Sequence, residues 1–189
     1  MSTSVIVAIV VAVVVVVALI AVGSMLLARR RKSKKLQEDF GPEYERELEQ
    51  KGDRKEAEAS LQQRRDQRKE LDIRPLDPQA RDRYADSWRH TQARFVDEPE
   101  AAVRESDQLV NEVMRERGYP VQDFEGGADS VSVDHPELAS NYRSAHEISQ
   151  RNERGEATTE DLRQALVHYR SLFEELLESR TAEHKEGAR

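Results

Sequence analysis

The chain has no cysteine, which removes disulfides, thiolate metal centres and a thiol nucleophile at once. Aromatic residues are scarce, at 5% with a single tryptophan, and no useful stretch alternates with the period of two that a strand requires. No glycine-rich phosphate loop is present, and Gly126-Gly127 alone carries no nucleotide signal. The sequence contains no Gly-x-Ser-x-Gly, no His-Glu-x-x-His, no histidines four apart and no Glu-x-x-His repeat. It also lacks an Asn-x-Ser/Thr glycosylation site. With 35% of residues charged, carboxylate pairs arise everywhere by chance and select nothing. No catalytic residue, cofactor or metal follows from these motifs, and nothing selects an enzyme.

Ionisable side chains are also absent from the N-terminus up to Ala28. Val5 to Leu27 is an uncharged apolar run of 23 residues, about 34 Å as a helix and enough for the hydrocarbon core of a bilayer. β-Branched valines dominate it, yet lipid offers the backbone no partner except itself, so a helix is expected. Six basic residues follow directly: Arg29, Arg30, Arg31, Lys32, Lys34 and Lys35. A cleaved signal peptide carries its charge before the apolar stretch, whereas Met1 to Ser4 has none. Ala21-Val22-Gly23 looks like a cleavage site, but Met25-Leu26-Leu27 continues the run beyond it. Positive charge marks the cytoplasmic side. The expected topology is therefore a single pass through the cell (inner) membrane, N-terminus outside and residues 29–189 in the cytoplasm. A lone span without ionisable groups provides no ion path. Ser4, Ala8 and Ala12, with Ser24 and Ala28, recur at four-residue spacing and would let two spans self-associate. Such spacing also arises by chance in an alanine-rich span.

Charge divides the chain. The net −7 includes the six cations of the juxtamembrane cluster, so residues 36–189 carry −13. Topology alone accounts for that cluster, which would also attract anionic lipid at roughly 1 kcal/mol per charge. The acidic remainder argues against a nucleic-acid partner, which needs a net basic face.

The expected fold is all-α. It comprises a transmembrane helix over 5–27, a basic juxtamembrane linker over 28–41 and a charged helical stalk or hairpin over 42–72. A small antiparallel helical bundle over 77–180 and a disordered tail over 181–189 complete it. Phe40-Gly41-Pro42 reads as a joint, with Pro42 opening a helix that Gly52 closes. Asp53 and Glu56 resemble a capping box for the next helix. Arg64, Arg65, Arg68 and Lys69 there interleave with Glu58, Asp66 and Glu70, the pattern of a solvated face.

From Asp77 the pattern turns amphipathic. Four apolar stripes start near Asp77-Pro78, Asp97-Glu98-Pro99, Asp134-His135-Pro136 and Thr158 with Asp161. About a hundred residues can bury one core without metal or disulfide. The predicted core is Tyr84, Trp88, Phe95, Val110, Val113, Met114, Tyr142, Ile148, Leu166, Tyr169 and Phe173. Residues 121–133 are the least regular part, where Val121 and Phe124 fit a short helical turn that Gly126-Gly127 breaks. Tyr119 to Pro136 is the longest connection, and long irregular connections are functional more often than short ones.

His135, His146 and His168 are the binding candidates, although a hydrogen-bonded structural histidine is the commoner fate of such residues. Two functional classes stay open. The first is a membrane-tethered cytoplasmic interaction module, scaffold or regulatory, whose bundle binds an unknown protein partner. The second is a tethered enzyme or small-ligand binder with a pocket between bundle helices, walled by 119–134 and these histidines. The same domain displayed outside the cytoplasm is a third arrangement.

The stretches Phe40-Gly41-Pro42-Glu43-Tyr44, Leu71-Asp72-Ile73-Arg74-Pro75-Leu76, Arg117-Gly118-Tyr119-Pro120, Val133-Asp134-His135-Pro136 and Thr159 to Ala165 with His168-Tyr169-Arg170 resemble those of an uncharacterised bacterial family. Its members are actinobacterial-type single-span proteins labelled only membrane or secreted protein, and the likeness covers nearly all of the chain after the span. The resemblance implies a bacterial inner-membrane setting and no activity, cofactor or partner.

Overall fold

The computed structural model describes residues 3–178, except for the side chains of 3–15, 18, 22, 26 and 29. The described residues form eight helices and no strand: α1 (Thr3–Phe40), α2 (Pro42–Lys51), α3 (Arg54–Glu70), α4 (Pro78–Arg94), α5 (Pro99–Arg117), α6 (Phe124–Asp134), α7 (Pro136–Glu153) and α8 (Thr159–Glu178). The all-α expectation holds. The tail at 181–189 lies outside the described residues.

α1 is a continuous helix of 38 residues, and the basic juxtamembrane stretch is part of it. Among the described residues no helix is long and apolar enough to cross a membrane. Much of the 5–27 run, namely side chains 5–15, 18, 22 and 26, lies outside them.

From Phe40 onward the chain is one compact unit. Its helix ends follow local chemistry. Asp53 and Asp77 accept hydrogen bonds from the backbone N–H groups of Glu56 and Gln79, each at 2.9 Å. Thr158 and Asp161 cap each other, with Thr158 N–H donating to Asp161 at 2.8 Å and Asp161 N–H to Thr158 Oγ1 at 3.2 Å.

Cross-links between helices define the bundle. Tyr84 of α4 reaches Glu116 and Arg94 reaches Glu105, so α4 and α5 run antiparallel. Asn152 donates to the Glu100 carbonyl while Tyr142 donates to Asn111, so α7 also opposes α5. Arg151–Asp161 and His135–Glu175 make α8 antiparallel to α7. The core gathers Trp88, Val110, Val113, Met114, Tyr142, Ile148, Tyr169 and Phe173 as predicted, while Tyr84, Phe95 and Leu166 are only partly buried at its margin.

Two features depart from expectation. Residues 42–72, expected as a stalk or an outlying hairpin, form the hairpin, α2 with α3, but it packs on α6 and α7. Gly126-Gly127 does not break the chain either: α6 runs straight through both. Asp123 caps that helix through the Gly126 N–H at 2.7 Å. A Cβ at Gly127 would stand 2.9 Å from the Pro120 carbonyl oxygen and 3.2 Å from Met114 Cε. Glycine here serves close approach, so the long irregular connection shrinks to a turn before α6.

Gly118 is the tightest such point. Its φ is +95°, and a Cβ there would lie 2.4 Å from the Asp72 carbonyl oxygen. The 71–76 connection is strapped alongside by Arg74 N–H to Arg117 O at 2.9 Å. Gly118→Ala is expected to cost about 1–3 kcal/mol, from left-handed strain with the backbone clash in addition. Urea denaturation of the variant checks this, with Gly52→Ala, which meets no atom within 4 Å, as the strain-only control.

Candidate functional site

The three candidate histidines do not converge. His135 ends α6 and opens α7, whereas His146 lies three turns further along, about 16 Å by helical rise. His168 is on α8, half-buried, and no hydrogen bond or ion pair joins any two of them among the described residues. Of the cationic cluster on α1, Arg30, Arg31, Lys32, Lys34 and Lys35 are exposed, and the side chain of Arg29 lies outside the described residues.

His135 faces Glu175, with Nδ1 3.4 Å from the carboxylate. Burial lowers its pKa despite Glu175 and Asp134 nearby, and burial lowers that of His168 as well. A histidine held neutral contributes stability that is present above its unfolded value of 6.5 and lost as pH falls through its lowered folded value. Thermal melts should therefore show the chain less stable at pH 5.5 than at 7.5. His135→Gln is expected to shrink that difference; an unchanged difference would remove His135 as the cause.

His146 is the candidate that belongs to a constructed site. Its ring stacks on Phe124 of α6 with centroids 3.7 Å apart and planes within 8°. Nδ1 lies 3.3 Å from Asp107 Oδ1, and Nε2 lies 3.1 Å from the Gln150 amide nitrogen. Each ring nitrogen thus has a polar neighbour, a carboxylate on one side and a side-chain amide on the other. The same Asp107 oxygen accepts the Tyr169 hydroxyl at 2.7 Å, and Asn111 ties Asp107 to the Tyr142 hydroxyl. Burial, then Asp107, pushes the Tyr169 phenol far up, so it stays a donor. An aspartate-oriented imidazole thus sits over a locked network built by α5, α7 and α8.

Two grooves flank the Phe124–His146 stack. One, about 390 Å³, runs along α7 past Ser140, Arg143, Ser144 and Glu147. The other, about 350 Å³, carries Asp107, Glu112, Arg115 and Asp123. Among the described residues no group of three or more His, Asp or Glu could hold a metal.

Next to the first groove lies a buried ion cluster that the sequence conceals. Arg64, 9% exposed, pairs with Glu47, approaches Asp129 at 3.1 Å and stands 3.6 Å from Glu43. Arg143, also 9% exposed, meets Asp129 at 2.6 Å, Glu43 at 3.4 Å and Glu125. Glu43 and Glu47 are each 1% exposed. Burial opposes the Arg143 charge, but Glu43, Glu125 and Asp129 outweigh it and raise its pKa. Arg64 thus departs from the solvated-face reading, and Arg68 does too, bonded to Asp134 at 2.6 Å. The one signal available was four-residue spacing, Glu43 with Glu47 and Arg64 with Arg68, and charged helices show it everywhere. Comparison with protein-family models, with curated proteins and with solved structures finds no match.

Proposed function

We propose that the chain is a single-span membrane-anchored interaction module, its helical unit in the cytoplasm and its N-terminus outside. The observation that carries this reading is the order of residues along one helix, where an uncharged 5–27 run passes directly into Arg29 to Lys35. The run matches bilayer thickness, and the cations supply the charge asymmetry that sets orientation. The resemblance to bacterial single-span proteins agrees with an inner-membrane setting. A binding role rather than a reaction is supported by the dispersal of His135, His146 and His168. Tethering raises local concentration at the membrane without any added contact.

Reporter fusions to the C-terminus of the full chain test the topology. A cytoplasm-active reporter should give signal and a periplasm-active one should not, and neutralising Arg29 to Lys35 should mix the two. External signal from the unmodified chain would overturn the reading. Photo-crosslinkers at the exposed Val96 and Val167, 83% and 48% accessible, test for a partner in intact membranes. A discrete adduct lost on masking one site supports an interaction surface; its absence at both argues against these faces.

A small-ligand role is favoured by one further observation, the pair of polar grooves on either side of the Phe124–His146 stack, each within the usual size range of ligand sites.

A further inference from the structure

The α7 groove holds a carboxylate of its own. Arg143 and Arg46 both point at Glu125 Oε2: the Arg143 guanidinium is paired with it, and Arg46 lies 3.8 Å away. Both arginines also face carboxylates of the buried ion cluster. Arg143 is nine-tenths buried on Asp129 and Glu43, and Arg46, 30% exposed, stands 3.8 Å from Glu43 Oε2. Glu125 is the solvent-facing member, 62% exposed on the first turn of α6. A pair of guanidinium groups closed by a solvent-facing carboxylate has the form of an occupied oxyanion clamp. The groove continues with Ser140, Ser144 and the His146–Gln150 pair, all able to donate or accept hydrogen bonds.

We propose that this groove binds a small oxyanion-bearing ligand, a carboxylate or a phosphate ester, between Arg46 and Arg143, with Glu125 as the built-in competitor it displaces. The inference stands apart from the membrane reading, because the clamp lies wholly within α2, α6 and α7. Fork-shaped guanidinium groups match the planar oxygens of carboxylate and phosphate, so either head group fits the clamp. The rest of the groove then meets the polar body of the ligand along α7. Displacement sets a threshold: the ligand must outcompete a neighbour tethered at high effective concentration.

Calorimetric titration of purified full-length protein with inorganic phosphate, and separately with acetate, tests this. Glu125→Ala should bind at least one of the two probes tenfold or more tighter than the unaltered chain. Which probe gains distinguishes a phosphate head group from a carboxylate. Adding Arg46→Ala to Glu125→Ala should remove that gain. Glu49→Ala deletes an equal charge from the exposed face of α2, one turn from Arg46 and outside the groove, so it should leave affinity nearly unchanged. Equal gains in Glu125→Ala and Glu49→Ala would reduce the effect to a general field and overturn the proposal. So would persistence of binding in the double variant, or no heat from either probe with Glu125→Ala. All three positions are at least partly exposed, and circular dichroism melts confirm that the variants fold. Glu125→Gln, which keeps the shape and loses the charge, should show the same gain.

Discussion

Arg64→Ala is expected to destabilise the folded chain by about 3–5 kcal/mol, the usual result of stripping one partner from a buried ion pair. The guanidinium faces Glu47, Glu43 and Asp129 while only 9% exposed. Among the described residues, its loss leaves Glu47, 1% exposed, with Lys51 at 3.8 Å as its remaining ion partner. The larger part of the cost is the unpaired carboxylate, not the missing contact. Arg64→Leu combined with Glu47→Leu should therefore recover at least half of the loss, since replacing both charges by apolar groups is often neutral. Urea titrations of the single and double variants decide this. A double variant no better than the single would show that shape rather than charge governs the site. The damage should be local at first. Phe40, Tyr44, Ala57 and Leu61 are buried yet do not belong to the main apolar cluster. Hydrogen exchange should accordingly rise in α2 and α3 before α8.

Phe173→Ala is expected to cost about 3–5 kcal/mol, the range for truncating a fully buried aromatic. Phe173 is 1% exposed at the centre of the bundle and stacks on Trp88 with centroids 4.6 Å apart and planes at 19°. Against a typical domain stability of about 5–15 kcal/mol this approaches unfolding. Trp88→Ala should fall in the same range. Trp88→Phe should be much milder, because the buried indole N–H has no acceptor among the described residues, so no hydrogen bond is lost with it. Denaturant unfolding followed by far-ultraviolet circular dichroism reads all three. Near-zero effects at both alanine variants would mean that the aromatic stripe is a binding face and not core.

The local signals were legible because each is a short-range chemical fact. Asp77, Asp53 and the Thr158–Asp161 pair cap helices where expected, since a cap needs only a side-chain oxygen and nearby free N–H groups. Gly118-Tyr119-Pro120 ends α5, with Gly118 left-handed and Tyr119 N–H bonded to Met114 O at 2.9 Å. The apolar periodicity of α5 and α8 placed Val110, Val113, Met114, Tyr169 and Phe173 in the core, because one face of a helix must be covered and these residues cover it.

What the sequence by itself determined is thus the helical class, most helix ends and the apolar half of the core. Only the tertiary structure decided which charges are buried. Arg64 and Arg65 are neighbours of the same type, yet Arg64 sits inside the ion cluster, while Arg65 is directed over the Phe40 ring at 5.6 Å. Tertiary packing also carried α6 through Gly126-Gly127, and at Gly127 the Pro120 carbonyl leaves no room for a Cβ. The reason lies in range. Periodicity and capping act within one or two turns, whereas Arg143 and Glu43 lie 100 residues apart. Nothing local distinguishes a charge that finds such a partner from one that stays in water.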